Sequence, residues 1–97
     1  MKLRVARSAV SDLDAIWAHV GVEKNIKTAE RLLASITRRF SFLARNPSVG
    51  RSRSELREGL RSFPAGNYRI YYRQETRAVV RILRVRHAAQ DEQNLFG

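Results

Sequence analysis

The sequence predicts one two-layer α+β domain: an N-terminal strand, an antiparallel helical hairpin packed on an antiparallel sheet (β-α-α-β-β-β), and a short C-terminal helix or tail. Three observations carry this prediction. The chain opens on a short alternation of apolar and basic residues, the period of a half-exposed strand. Two amphipathic stretches with apolar residues every three to four positions follow, the period of helices. The second half then changes to β-branched and aromatic runs separated by turn residues.

Leu3 and Val5 alternate with Lys2 and Arg4 in the first strand. Ser8 offers a cap to a first helix carrying Val10, Leu13, Ile16, Trp17 and Val20, with Asp12 and Asp14 placed toward the positive end of its dipole. Gly21 weakens the end of that helix, and Asn25 can cap the next. Ala29, Leu32, Leu33, Ile36, Phe40 and Leu43 form a single stripe along the second helix, which Asn46-Pro47 terminates because proline disfavours a helical predecessor. A polar, arginine-rich loop runs from Ser48 to Ser54. Leu60–Pro64, Tyr68–Arg73 and Ala78–Arg86 read as three strands of a meander, turned at Ala65-Gly66-Asn67 and at Gln74–Arg77. The last strand starts with Val79, Val80, Ile82 and Leu83, apolar on both faces, which places it centrally in the sheet. Leu13, Trp17, Leu33, Ile36, Phe40, Ile70 and Leu83 are the expected core.

With 97 residues there is room for one core, so residues 1–97 form a single domain. Cysteine is absent, which excludes disulfides and thiolate metal sites. No apolar run approaches the roughly 20 residues of a membrane span, and Met1–Arg7 lacks a signal-peptide core, so a cytoplasmic protein without a membrane partner is expected. Nineteen basic residues face nine acidic ones, for a net charge of +10, and sixteen of the nineteen are arginine. Guanidinium groups grip phosphate or carboxylate through a planar fork, so the partner is a nucleic acid or an acidic protein segment, unless arginine is merely the favoured surface cation.

Conventional catalytic motifs are missing. His19 and His87 lie on different elements, without metal-ligand spacing, and there is no phosphate-binding glycine loop and no Ser-His-Asp pattern. No cofactor, no metal and no catalytic residue is expected. What stands out is basic and aromatic: Arg69, Tyr71 and Arg73 share one face of their strand, Arg84 and Arg86 one face of the last strand with His87 beside them, and Arg61 comes from the neighbouring strand. Such a patch suits phosphate chains and stacked bases, or the carboxylates of a peptide; a solvated sheet face is the alternative.

Five segments occur in a recognisable order: Ser11-Asp12-Leu13-Asp14-Ala15-Ile16-Trp17, Pro47-x-x-Gly50-Arg51, Leu60-Arg61-Ser62-Phe63-Pro64, Asn67-Tyr68-Arg69-Ile70-Tyr71-Tyr72-Arg73 and Ile82-Leu83-Arg84-Val85-Arg86-His87. Together they resemble the ParE branch of the ParE/RelE toxin superfamily over nearly the whole chain. The resemblance implies a toxin of a type II toxin–antitoxin pair, acting in plasmid stabilisation or growth arrest. It implies inhibition of DNA gyrase by binding alone, and neutralisation by a cognate antitoxin with an acidic, partly disordered segment. A hetero-oligomer with that antitoxin, touching DNA through it, is the implied assembly. Arg61, Arg69, Arg73, Arg84, Arg86 and His87 are the expected contacts to gyrase or antitoxin. The RelE branch, by contrast, consists of ribosome-dependent mRNA interferases. Arg69 matches its strand arginine and Arg61 stands near another, but Ala88 holds the place of the post-strand arginine and Asn94 that of the C-terminal tyrosine. A ribonuclease using His87 for proton transfer, and a non-catalytic nucleic-acid-binding module, are the alternatives.

Overall fold

A computed structural model describes residues 1–90, Glu92 and 94–96. The elements are β1 (Lys2–Val5), α1 (Arg7–Glu23), α2 (Ile26–Arg45), β2 (Arg51–Ser52), β3 (Arg61–Ala65), β4 (Tyr68–Thr76) and β5 (Val79–His87). They build one five-stranded sheet in the order β1-β5-β4-β3-β2. The expected antiparallel meander is there, β3 against β4 and β4 against β5, and the short β2 extends it antiparallel to β3. β2 is an addition to the sequence reading, which had its residues in a loop. β1 departs from the all-antiparallel expectation: it pairs with β5 in parallel, Leu3 opposite Val80 and Val5 opposite Ile82. Tight turns force consecutive strands to alternate, but β1 is separated from β5 by the rest of the chain, so no turn dictates its sense.

The helices pack on one face of this sheet. α2 reads as its stripe predicts, with Ala29, Ile36, Phe40 and Leu43 buried, and Asn25 caps it by accepting the Thr28 N–H at 2.8 Å. α1 is different. It begins at Arg7 behind Ala6, with no side-chain cap and no acid in its first turn. Ser8, expected as the cap, instead donates to the Leu83 carbonyl at 2.9 Å. The face turned to the core follows Ala9, Leu13 and Ile16, leaving Val10 and Trp17 45% and 40% exposed. The expected burial of Trp17 is therefore corrected, and Leu33 is only half-buried. The reason is that α1 is apolar on more than one side, so the sequence period does not single out which side is covered.

A register shift at Tyr71/Tyr72 settles how β5 serves both faces of the sheet. Tyr71 pairs with Arg84 and Tyr72 with Ile82, so Leu83 is the extra residue of a bulge. Val80 and Ile82 before it and Val85 after it all face the helices, in one cluster with Ile36, Phe40, Leu43, Ile70 and Tyr72. Leu83 turns to the opposite face, where it meets Leu60, Tyr71 and Leu95 in a second cluster. Leu95 and Phe96 thus dock on the outer face; the alternative of a short helix falls partly on residues outside the described set.

The loop after α2 is anchored by buried polar contacts. Tyr72 accepts the Gly50 N–H at 2.8 Å and donates to the Pro47 carbonyl at 2.9 Å, while Arg61 donates to the Gly50 carbonyl at 2.8 Å. A Cβ on Gly50 would lie 2.7 Å from Tyr72 Cε1 and 2.9 Å from the Ser62 carbonyl oxygen, and against the Tyr72 hydroxyl itself. Both neighbours belong to the sheet, so neither yields cheaply. Gly50→Ala is expected to cost about 1–3 kcal/mol, as overpacking of a tight site does, read as a lower urea midpoint at unchanged slope. A midpoint equal to that of the parent would show that the loop moves aside freely.

Candidate functional site: the outer sheet face and the cleft at its end

Beyond Ile82, β1 has ended and the edge of β5 would be bare. Side chains complete it. Ser8 donates to the Leu83 carbonyl, Asp12 accepts the Val85 N–H at 2.9 Å, and Gln90 accepts the His87 N–H at 2.8 Å. An edge satisfied in this way is not a template for another strand. It also brings α1 against the end of β5, where the candidate residues gather.

Arg69, Arg73, Arg84 and Arg86 do share the outer face of the sheet. Arg69 stands opposite Arg86, and Arg73 opposite Arg81. Arg61 does not join them. It pairs with Tyr72 and shares the phase of Phe63 and Ala65, two and four residues on, on the helix side, where it holds the Ser48–Gly50 loop. Nor is Arg84 a free surface cation. Its Nε and one terminal nitrogen fork onto Asp12 at 2.8 and 2.9 Å, and the other terminal nitrogen donates to the Leu95 carbonyl at 3.3 Å. The sequence reading of Asp12 as a helix-start charge is corrected by this pair, which also ties Arg84 into the fold.

The outer face carries a second ion cluster that no local pattern announces. Glu92 receives a bidentate Arg53 fork at 2.6 and 2.8 Å, lies 3.2 Å from Arg69, and accepts the Tyr71 hydroxyl. The Arg53 guanidinium, ahead of the Tyr71 hydrogen bond, holds the Glu92 carboxyl at about 2, well below the ordinary 4.5. Burial, and then donation to Glu92, pushes the Tyr71 phenol up, so it remains a neutral donor. Around this cluster Leu95 is buried, and Phe96 meets Tyr71 edge-on at 6.2 Å under the Arg57 guanidinium at 5.6 Å.

At the end of the sheet, α1 and the β4–β5 strand ends enclose a cleft of about 350 Å³. His19 lines it from the helix, Tyr68, Arg86 and His87 from the sheet, and Gln90 from the turn after β5. Tyr68 and His87 meet edge to face, with centroids 5.3 Å apart. His19 is the member that sequence spacing missed, because its partner is distant in sequence. Among the described residues no group of three or more His, Cys, Asp or Glu side chains converges as a metal site, and no helix is long and apolar enough to cross a membrane.

The chain that builds this helical hairpin and sheet matches a specific sequence family. The family described as ParE toxin of type II toxin-antitoxin system, parDE, matches residues 3–92. The chain belongs to the ParE toxin family. Toxin ParE1 of Caulobacter vibrioides is 33% identical over 97% of this chain and 96% of that protein. Toxin ParE3 of the same organism is 37% identical over 81% and 78%. Among solved structures, a chain of the chromosomal ParDE TA system from P. aeruginosa superposes with a TM-score of 0.78 at 26% identity, over 90% of this chain and 95% of that one. This ParE-family member therefore has the ParE/RelE fold, its β5 bulge and Glu92 cluster included in the matched span.

Proposed function

We propose that this ParE-family toxin arrests growth by binding DNA gyrase and holding a cleaved DNA–enzyme intermediate, without chemistry of its own, and that a cognate antitoxin neutralises it. The observation that carries this reading is the family match across residues 3–92. Binding alone can poison a DNA-cleaving enzyme, because a ligand preferring the cleaved state raises its population by the ratio of its affinities. The arrangement of the arginines supports a binding role. Arg61, Arg69 and Arg84 are occupied by carbonyls and carboxylates of this chain, whereas catalysis would need such groups aimed at a scissile phosphate. Arg73 and Arg86 are the outer-face arginines that, among the described residues, have no carboxylate partner and so would meet gyrase or its DNA.

The antitoxin's place is supported by a different surface. Trp17, Val22 and Ile26 leave apolar area exposed on and beside α1, at 40%, 84% and 56%. An amphipathic antitoxin segment would cover them, while its acidic residues and the +10 charge of the toxin accelerate encounter. In this reading the pair is a cytoplasmic hetero-oligomer that reaches DNA through the antitoxin.

The deciding experiment titrates antitoxin-free toxin into a supercoiling reaction with purified gyrase. Supercoiling should fall with dose, and linear DNA should appear after protein digestion. Undiminished supercoiling at large molar excess, with translated mRNA cleaved within codons instead, would replace this reading by the mRNA interferase.

A further inference from the structure

We propose that the cleft between α1 and the ends of β4 and β5 binds a nucleotide unit of single-stranded nucleic acid, with Arg86 on the phosphate and the rings of His19, Tyr68 and His87 around the base. This goes beyond the gyrase reading and is independent of it, since the cleft can take a nucleotide whether or not gyrase is the target.

Charge is the first reason. Asp12 also lines the cleft, but it is matched by the Arg84 fork, so its charge is cancelled at the wall. Among the described residues Arg86 has no such carboxylate. Its Nε donates to Gln90 at 3.0 Å, which holds the guanidinium plane, and among the described residues its terminal nitrogens have no partner. An oriented guanidinium with two open donors is the fork that suits a phosphate. Across the strands Arg69 stands opposite Arg86, which continues the positive track onto the outer face for a neighbouring phosphate.

Shape and ring content are the second reason. A volume of about 350 Å³ lies at the low end of small-ligand sites, suited to one nucleotide rather than to a folded segment. Three of the side chains lining it are rings, and the Tyr68–His87 edge-to-face pair fixes two of them. His87 Nδ1 accepts the Ala89 N–H at 3.1 Å, so the neutral ring carries its proton on Nε2 and offers a donor. A bare anion or an acidic side chain would use Arg86 and leave the rings idle; a base stacks on or packs against them whatever its identity. The gap between helix and strand end is therefore matched to phosphate plus base.

The test uses the whole chain, free of antitoxin, with a short fluorescein-labelled oligothymidylate and the matching oligouridylate followed by anisotropy. Amide and ring resonances are recorded in parallel. Both oligomers should bind with shifts concentrated at His19, Tyr68, Arg86 and His87; tighter binding of one assigns DNA or RNA as the natural source. Arg86→Gln and His87→Ala should each weaken binding about tenfold, in the range of one lost stacked base, and Arg86→Gln should reduce the salt slope by about 0.7. Arg38→Gln, exposed on α2, removes the same charge elsewhere and should change affinity less than about twofold. Equal losses in Arg38→Gln and Arg86→Gln would reduce the site to general electrostatics and overturn the proposal. So would competition by inorganic phosphate or an oligoglutamate peptide as effective as that by nucleotide.

Discussion

Replacing Arg53 with Ala is expected to lower the unfolding free energy by about 3 kcal/mol and to release the C-terminal tail from the sheet. Arg53 is 8% exposed and forks onto Glu92, which itself keeps Arg69 and Tyr71. Removing one partner of a buried ion pair costs about 3–5 kcal/mol, because the other charge remains desolvated. Glu92 is partly exposed and retains two partners, which puts the expectation at the lower end. The same cluster sets an acid dependence. The Glu92 carboxyl is depressed from 4.5 to about 2, so its contribution is fully present above about pH 4.5 and is lost as pH falls toward 2. At about 1.4 kcal/mol per pH unit the full shift would be worth roughly 3 kcal/mol, and partial solvent access reduces this to about 1–2. Urea titrations at pH 7, 5 and 3 of the parent and Arg53→Ala check both statements. The variant should be weaker at pH 7 and lose less between pH 5 and 3. Equal stability at pH 7 together with an unchanged acid slope would show that Glu92 is not held by Arg53.

What was legible in the sequence was local, and what was missed is distant. α2 could be read residue by residue because its polar and apolar sides are cleanly divided, and Asn25 caps it within one turn. The meander was legible because Gly66 takes a left-handed backbone, φ 60°, between two β-rich runs. α1 was legible as a helix but not in its rotation, since Val10 and Trp17 are as apolar as Leu13 and Ile16, and only the sheet decides which pair it covers. Of the candidate site, the shared face of Arg69, Arg73, Arg84 and Arg86 followed from strand alternation, helped by the bulge at Leu83, which no sequence period reveals. Arg61 was grouped with that patch as coming from the neighbouring strand, but strand register, not composition, sets its phase and turns it to the helix side. The partners of the arginines were beyond reach. Asp12 and Arg84 are 72 positions apart, and Arg53 and Glu92 39, so nothing local marks either pair.

Reversing the charge of Arg84 is expected to cost about 3–5 kcal/mol, whereas reversing that of Arg86 should cost about 0.5 kcal/mol or less. Arg84→Glu removes both guanidinium bonds to Asp12 and sets a second carboxylate against it. Asp12 also accepts the Val85 N–H, so the repulsion is transmitted to the strand edge where α1 is anchored. The Leu95 carbonyl loses a donor in the same step, which loosens the tail. Among the described residues Arg86 is held by Gln90 alone, at the exposed end of β5, and has no carboxylate to offend. Thermal melts and urea midpoints of the two variants should separate them clearly. Restoring an opposite pair in Arg84→Glu by Asp12→Lys should recover part of the loss, but not all of it, because lysine cannot accept the Val85 N–H. The distinction bears directly on function. Lost toxicity in Arg84→Glu could follow from unfolding alone, so the proposed contact with gyrase is to be probed at Arg73 and Arg86, with the melt of each variant measured beside its activity. Equal melts for Arg84→Glu and Arg86→Glu would show that the Asp12 fork carries no stability, and would return Arg84 to the set of free contact residues.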